Sequence, residues 1–107
     1  MTGSNGKVPN RKVTGKALFP MGIVVGSPGA AEVMRKHDLH PLIIVARHVS
    51  GDWGQVDQDD AQANEWALQT GERIMSVYRY GPEDDDVLWV ITEADRRATT
   101  ILTPDEY

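Results

Sequence analysis

The sequence predicts an α+β domain in which a short N-terminal strand and three helices precede a three-stranded antiparallel meander, with the helices on one face of the sheet. Apolar residues at three- and four-residue spacing predict the helices, and short polar turns between the last three β-rich runs predict the meander. Residues 87–91 are apolar on both faces, which is typical of a central strand. We therefore expect residues 87–93 to have an antiparallel neighbour on each side.

The element boundaries are predicted from prolines, glycines and capping residues. Residues 17–25 are apolar but contain Pro20 and Gly22, which favours a short or edge strand. The segment 42–50 contains a Leu-Ile-Ile-Val run that would also suit a buried strand, but its flanking proline and glycine favour a helix. The predicted helices start at Ser27-Pro28, Pro41 and Asp57, and the last two end at Gly51 and Gly71.

The three predicted strands of the meander are Ile74–Tyr80, residues 87–93 and residues 98–103. Their connections are long enough only for antiparallel neighbours. Trp89, in the middle of the central strand, is expected to be a core residue. Its replacement by alanine is then expected to cost about 3 kcal/mol or more.

Length and composition restrict the organisation of the chain. At 107 residues it holds one domain, predicted over residues 16–107 and preceded by a disordered tail over residues 1–15. The absence of cysteine excludes disulfides and thiolate zinc sites, so the chain relies on packing. No apolar stretch is long enough for a signal peptide or a transmembrane helix, which predicts a cytoplasmic protein that does not enter membranes.

The net charge of −5 is unevenly distributed along the chain. Three of the 11 basic residues lie in the tail and all 16 acidic residues follow it, so residues 16–107 carry 8 − 16 = −8. Affinity for nucleic acid comes largely from lysine and arginine. Broad nucleic-acid binding is therefore not expected.

The first candidate site is the segment ARHVSGDWG, which contains Arg47, His48, Asp52 and Trp53. A histidine with a nearby carboxylate is a typical general base with an orienting group. The structural alternative is that Arg47 and His48 complement the dipole at the end of a helix, while Asp52 holds a turn and Trp53 fills an edge of the core.

The second candidate site is the hairpin tip with Glu93, Asp95 and Arg96, followed by Thr99. Acid, guanidinium and hydroxyl groups together are suited to binding a phosphate. The structural alternative is a solvated turn in which Asp95 caps its own backbone and Arg96 pairs with Glu93. The sequence contains no metal-ligand or glycine-rich phosphate-binding motif, so no cofactor and no metal are expected.

The segments LFPMGIVVGSPGA, ARHVSGDWG, RIMSVYRY and LWVITEADRRATTILTPDEY resemble a family of small uncharacterised proteins of proteobacterial plasmids and integrated elements. Members of this family often lie near restriction or DNA-methylase genes. The resemblance covers residues 17–107. It implies a mobile-element setting, and it implies no established activity.

Two functional hypotheses follow. The first is a non-catalytic accessory protein that binds another macromolecule, such as a defence-system component, through Arg47, His48, Asp52, Trp53, Glu93, Asp95 and Arg96. The second rests on a topological similarity to RelE-type toxins and barnase-like ribonucleases, and it makes His48, Arg96 and Thr99 catalytic. The acidic domain differs from the basic surface that such nucleases present to RNA. The first hypothesis is preferred for that reason.

Overall fold

Residues 15–107 are described by the computed structural model, and the predicted tail, apart from Gly15, lies outside the described residues. The chain forms β1 (Ile23–Gly26), α1 (Pro28–Lys36), α2 (Pro41–Val49), α3 (Gln58–Thr70), β2 (Ile74–Tyr80), β3 (Asp86–Thr92), β4 (Ala98–Leu102) and a short 3₁₀ helix (Pro104–Glu106). This element order confirms the predicted α+β fold class.

The predicted capping residues set the ends of the helices. The Ser27 hydroxyl accepts a hydrogen bond from the Ala30 amide at 3.0 Å, and the Asp57 carboxylate accepts one from the Asp60 amide at 2.8 Å. Gly71 ends α3 in the left-handed conformation, at a φ of 79°. No helix within residues 15–107 is long and apolar enough to span a membrane.

The sheet has the strand order β1-β4-β3-β2. The predicted central position of β3 is confirmed, since β2 and β4 flank it and both run antiparallel to it. The predicted N-terminal strand joins the same sheet but pairs parallel with β4, so the sheet is mixed and the antiparallel pairing is confined to the meander. The three helices, β2 and β3 all lie between β1 and β4 in sequence, so no hairpin fixes their relative direction.

The core lies between the helices and one face of the sheet, as predicted. Alternate strand residues point to this face, among them Ile74 and Tyr78 of β2 and Leu88 and Val90 of β3. Helices α1 and α2 pack on Tyr78, Leu88 and Val90, and Ile74 packs with Ala67 of α3. The side chains that contribute to the two clusters from outside the sheet are Ala30, Met34, Ile44, Val45, Phe19, Trp53 and Ala67.

Trp89 is not a fully buried core residue, in contrast to the expectation from the sequence. It is half-buried and belongs to the opposite face of the sheet from Leu88 and Val90. The three helices do not cover that face. The ring of Tyr107 packs against Trp89 in an edge arrangement, with the ring centroids 5.3 Å apart. The apolar pattern on both faces of residues 87–91 therefore predicted the central strand correctly, but it did not predict how deeply Trp89 is buried.

Candidate functional site

His48 lies at the centre of a buried chain of hydrogen bonds that joins α2 to the sheet. Its Nδ1 lies 2.7 Å from the Ser76 hydroxyl on β2, and its Nε2 lies 2.9 Å from the Thr92 hydroxyl on β3. The chain continues from Thr92 to Thr99 on β4 at 2.6 Å, and Thr99 donates to the Met21 carbonyl at 2.7 Å. The four side chains His48, Ser76, Thr92 and Thr99 all have 0% exposed surface.

The direction of this chain fixes the tautomer of His48. Thr99 gives its only hydroxyl proton to the Met21 carbonyl, so Thr99 accepts from Thr92. Thr92 then has no proton left for His48 and accepts from Nε2–H. Nδ1 consequently accepts from the Ser76 hydroxyl. Every side-chain nitrogen and oxygen in this series of hydrogen bonds has a partner when His48 is neutral and protonated on Nε2.

Burial, together with a smaller effect of the positive charge of Arg96, lowers the pKa of His48 to about 3. His48 is therefore neutral at pH 7 and does not complement the α2 dipole with a charge. A general base must also reach its substrate. With both ring nitrogens bonded and no exposed surface, His48 cannot do so unless the core opens.

Arg47, next to His48 on α2, forms a partly exposed ion pair with Asp52. The Arg47 Nε donates to Asp52 Oδ2 at 2.7 Å, and the guanidinium lies 4.2 Å from the centre of the Tyr78 ring. The Tyr78 hydroxyl donates to the Asp52 carbonyl at 2.6 Å, and burial raises the pKa of Tyr78. Asp52 also accepts from the Gly54 amide at 3.2 Å, which confirms its predicted role in a turn.

Trp53 fills an edge of the core, as the structural alternative predicted. It is buried, and its ring stacks on Phe19 with the ring centroids 6.3 Å apart. Its indole N–H donates to the Glu65 carboxylate at 3.0 Å. These contacts leave Trp53 little surface for a ligand.

Arg96 contacts the end of α3 rather than pointing freely into solvent. Its guanidinium donates to the backbone carbonyls of Ala67 at 3.1 Å and Glu72 at 2.7 Å. It also donates to the backbone carbonyl of Glu93 at 3.1 Å. The turn alternative expected an ion pair between Arg96 and the Glu93 carboxylate, and this pair does not form. The predicted backbone cap by Asp95 is confirmed, since Asp95 accepts from the Arg97 amide at 3.0 Å.

The two predicted segments approach each other beneath the surface, through Phe19. The Phe19 ring lies 5.2 Å from the His48 ring and 5.5 Å from the Arg96 guanidinium. The charged groups left exposed at the tip are Glu93, Asp95 and Arg97, and Arg97 lies 3.9 Å from Asp95. Within residues 15–107, no hydrogen bond or ion pair connects these acids with Arg47 or Asp52. The residues that meet are structural, and the exposed ones form two separate groups.

The exposed aliphatic residues of α2 were not among the predicted site residues. Leu42 is 51% exposed and Ile43 is 65% exposed, while Ile44 and Val45 are buried. The signal was present in the Leu-Ile-Ile-Val run, because four consecutive residues of a helix cannot all face one core. Ala46, one turn after Leu42, is also exposed and extends this apolar surface towards Arg47.

A cleft of about 310 Å³ lies between the start of β3 and the 3₁₀ helix, and its polar lining is mainly acidic, from Asp85, Asp86 and Asp105. The Asp86 carboxylate is already bound by Lys36 at 2.9 Å and by His37 at 2.7 Å. Within the described part of the chain, no group of three or more histidine or acidic side chains is placed to hold a metal ion. The cleft gives no indication of a ligand.

No family model, curated protein or solved structure matches the chain. The resemblance to plasmid proteins therefore stays a prediction. The function is inferred from the geometry of the described residues.

Proposed function

We propose that the protein is non-catalytic and acts by binding another protein through the outer surface of α2, formed by Leu42, Ile43, Ala46, Arg47 and Asp52. The observation that carries this proposal is the exposure of two adjacent aliphatic residues on a helix of nine residues. Scattered single apolar residues are normal on a surface, but contiguous apolar patches mark interaction sites. We call these five residues the α2 surface.

The side chains of the α2 surface combine the features of a protein interface. Leu42, Ile43 and Ala46 provide an apolar centre, and the Arg47–Asp52 pair at its border provides polar contacts. The Arg47 guanidinium is already fixed by Asp52 and by the Tyr78 ring. An arginine that is ordered before binding loses little conformational entropy in the complex, and arginine is enriched among residues that dominate binding energy.

The chemistry of the α2 surface favours a protein partner with an apolar patch over a nucleic acid. Its one cation is neutralised by Asp52, and residues 16–107 carry a net charge of 8 − 16 = −8. A surface that binds a phosphate backbone needs an excess of cationic side chains. The resemblance to plasmid proteins suggests that the partner is encoded on, or directed against, the same mobile element, as a defence-system component would be.

The ribonuclease alternative receives no support from the positions of its three candidate residues. His48 and Thr99 are buried in the hydrogen-bond chain, and Arg96 is bound to backbone carbonyls. A phosphate-cleaving site needs these groups at a surface that RNA can reach. We therefore retain the binding hypothesis alone.

A photo-crosslinking amino acid at position 43 tests the proposal, with position 62 as the matched control. Gln62 is also exposed, but it lies outside the α2 surface, on α3 one turn before the exposed Trp66. In cells that carry the native element, position 43 should capture a protein that position 62 does not. The captured protein is then purified, and its Kd is measured for wild type, Ile43→Asp and Gln62→Asp. A loss of affinity of at least about tenfold for Ile43→Asp alone supports the α2 surface, whereas equal affinities contradict it.

A further inference from the structure

The two edges of the sheet differ in how their outward backbone groups are satisfied. Strand β2 forms one edge and β1 forms the other. An edge strand has a row of N–H and C=O groups that point away from the sheet, and these groups can pair with another chain. A further strand can therefore pair only with the edge whose outward groups are not already bound.

The β2 edge is occupied by other parts of the same chain. The Asn64 side chain donates to the Met75 carbonyl at 2.7 Å and accepts from the Met75 amide at 3.1 Å. The Val77 amide donates to the Trp53 carbonyl at 3.1 Å, and the Gln55 amide donates to the Val77 carbonyl at 2.7 Å. The Gln55 side chain accepts from the Arg79 amide at 3.2 Å. Five of the six outward N–H and C=O groups of Met75, Val77 and Arg79 are therefore bound within the chain, which leaves little of this edge for a partner strand.

The β1 edge has no such protection within residues 15–107. The amides of Ile23 and Ser27 point inward and donate to the carbonyls of Arg97 and Ile101, at 2.8 and 2.9 Å. Because backbone groups alternate in direction along a strand, those of Val24 and Gly26 point outward. No other described residue forms a hydrogen bond with these outward groups.

The side chains of β1 also lack the features that usually block edge pairing. Natural edge strands carry lysine, proline or a bulge, but β1 is Ile-Val-Val-Gly, with Ile23 72% exposed and Val25 46% exposed. Residues 17–31 contain no charged side chain, although residues 16–107 carry a net charge of 8 − 16 = −8. A contact between two copies along β1 therefore brings no charged side chains of residues 17–31 together.

We propose that β1 pairs antiparallel with β1 of a second copy, across a two-fold axis at Val24, and forms a continuous eight-stranded sheet. This register places the outward groups of Val24 opposite those of the second Val24, as an antiparallel ladder requires. It also places Ile23 beside Val25 of the second copy, and such β-branched cross-strand pairs are favourable. The α2 surface takes no part, so the inference stands independently of the proposed function.

The short β1 strand makes this dimer concentration-dependent. A four-residue strand buries little surface, which puts the interface at the low end of the range for stable complexes, at about 1,200 Å² or less. We therefore expect monomers at low concentration and dimers at high concentration. A two-fold interface uses the same patch on both copies and closes after two, so larger assemblies are not expected.

Amide hydrogen exchange at β1, measured at low and high protein concentration with sedimentation on the same samples, tests the proposal. Protection of the Val24 amide should rise with concentration as the mass doubles. The Val25 amide points inward to β4 and serves as the internal control, with protection that does not depend on concentration. Ile23→Lys should abolish both the doubling and the Val24 protection, while Ile43→Lys, which adds the same charge to the α2 surface, should leave both unchanged.

Two results would overturn the proposal. One is a monomer at every concentration. The other is Val24 protection that is independent of concentration and is lost when residues 1–14 are deleted, because the chain's own N-terminal segment would then occupy the edge. Val24→Pro provides a second variant in case Ile23→Lys fails to fold, since it removes an outward N–H and leaves the inward hydrogen bonds of β1 in place, at the cost of a side chain that packs against the core. Dimerisation of a folded Val24→Pro variant with wild-type affinity would also contradict this register.

Discussion

Acidification from pH 7 to pH 4 should remove about 3 kcal/mol of stability through His48 alone. Burial holds the pKa of His48 in the folded protein at about 3, and its ordinary value is 6.5. The unfolded chain therefore binds a proton below pH 6.5, while the folded chain excludes it until about pH 3. Stability that is fully present above pH 6.5 is lost progressively as the pH falls. Proton linkage over this interval gives a loss of about 3 kcal/mol between pH 7 and pH 4.

Urea denaturation of wild type, His48→Gln and Thr92→Val at pH 7 and pH 4 isolates this contribution. His48→Gln removes the titrating group, so it should lose about 3 kcal/mol less than wild type between the two pH values. Thr92→Val breaks the hydrogen-bond chain but keeps the imidazole. It should be less stable by about 1 to 2 kcal/mol at pH 7 and retain most of the wild-type pH dependence. Equal pH dependence of wild type and His48→Gln would refute the reasoning.

Three further predictions concern contacts that fix the fold. Gly54→Ala should cost at least about 3 kcal/mol in urea denaturation, because Gly54 has a φ of 74° and an added Cβ would lie 2.0 Å from the Val77 carbonyl oxygen. Gly71 has a similar φ of 79°, but a Cβ added there would have no atom within 4 Å, so Gly71→Ala should cost only about 1 kcal/mol. Equal losses of stability in the two variants would contradict the steric explanation. Asn64→Ala should cost about 2 kcal/mol of stability in urea denaturation, because it leaves the Met75 amide and carbonyl unpaired. The stability of Asn64→Asp should lie between those of Asn64→Ala and wild type. The pKa of Glu106 is lowered to about 2 by hydrogen bonds from the Ser27 hydroxyl and from the Thr103 and Gly29 amides. Glu106→Gln should therefore speed hydrogen exchange of the Gly29 amide at pH 5, and an unchanged rate would mean that this contact does not hold the start of α1.

The elements could be predicted because their signals are local. Ser27 and Asp57 act as caps through groups three residues away, and Gly71 ends α3 through its own backbone conformation. The two-sided apolar run of β3 identified the centre of the sheet for a similar reason, since both of its neighbours are joined to it by short turns. Fold class and strand order within the meander thus followed from interactions close in sequence.

The parallel position of β1 could not be predicted, because it depends on contacts between residues far apart in sequence. Ile23 pairs with Ala98 across 75 positions, and nothing near β1 specifies that pairing or its direction. The role of His48 is hidden for the same reason. Its partners Ser76 and Thr92 lie on two different strands, 28 and 44 residues away. From sequence, a histidine near the end of a helix indicates equally well a base, a dipole complement or a buried core residue.

Incubation of the purified protein with single-stranded and structured RNA tests most directly the central claim that His48 belongs to the core of a binding protein and not to a catalytic site. Wild type, His48→Gln and Thr92→Val are compared at equal folded concentration, since both variants are expected to lose stability. The account predicts no cleavage above the buffer control for any of the three proteins. Cleavage by wild type and Thr92→Val that is absent in folded His48→Gln would contradict it, because only a catalytic imidazole would separate the variants in that way.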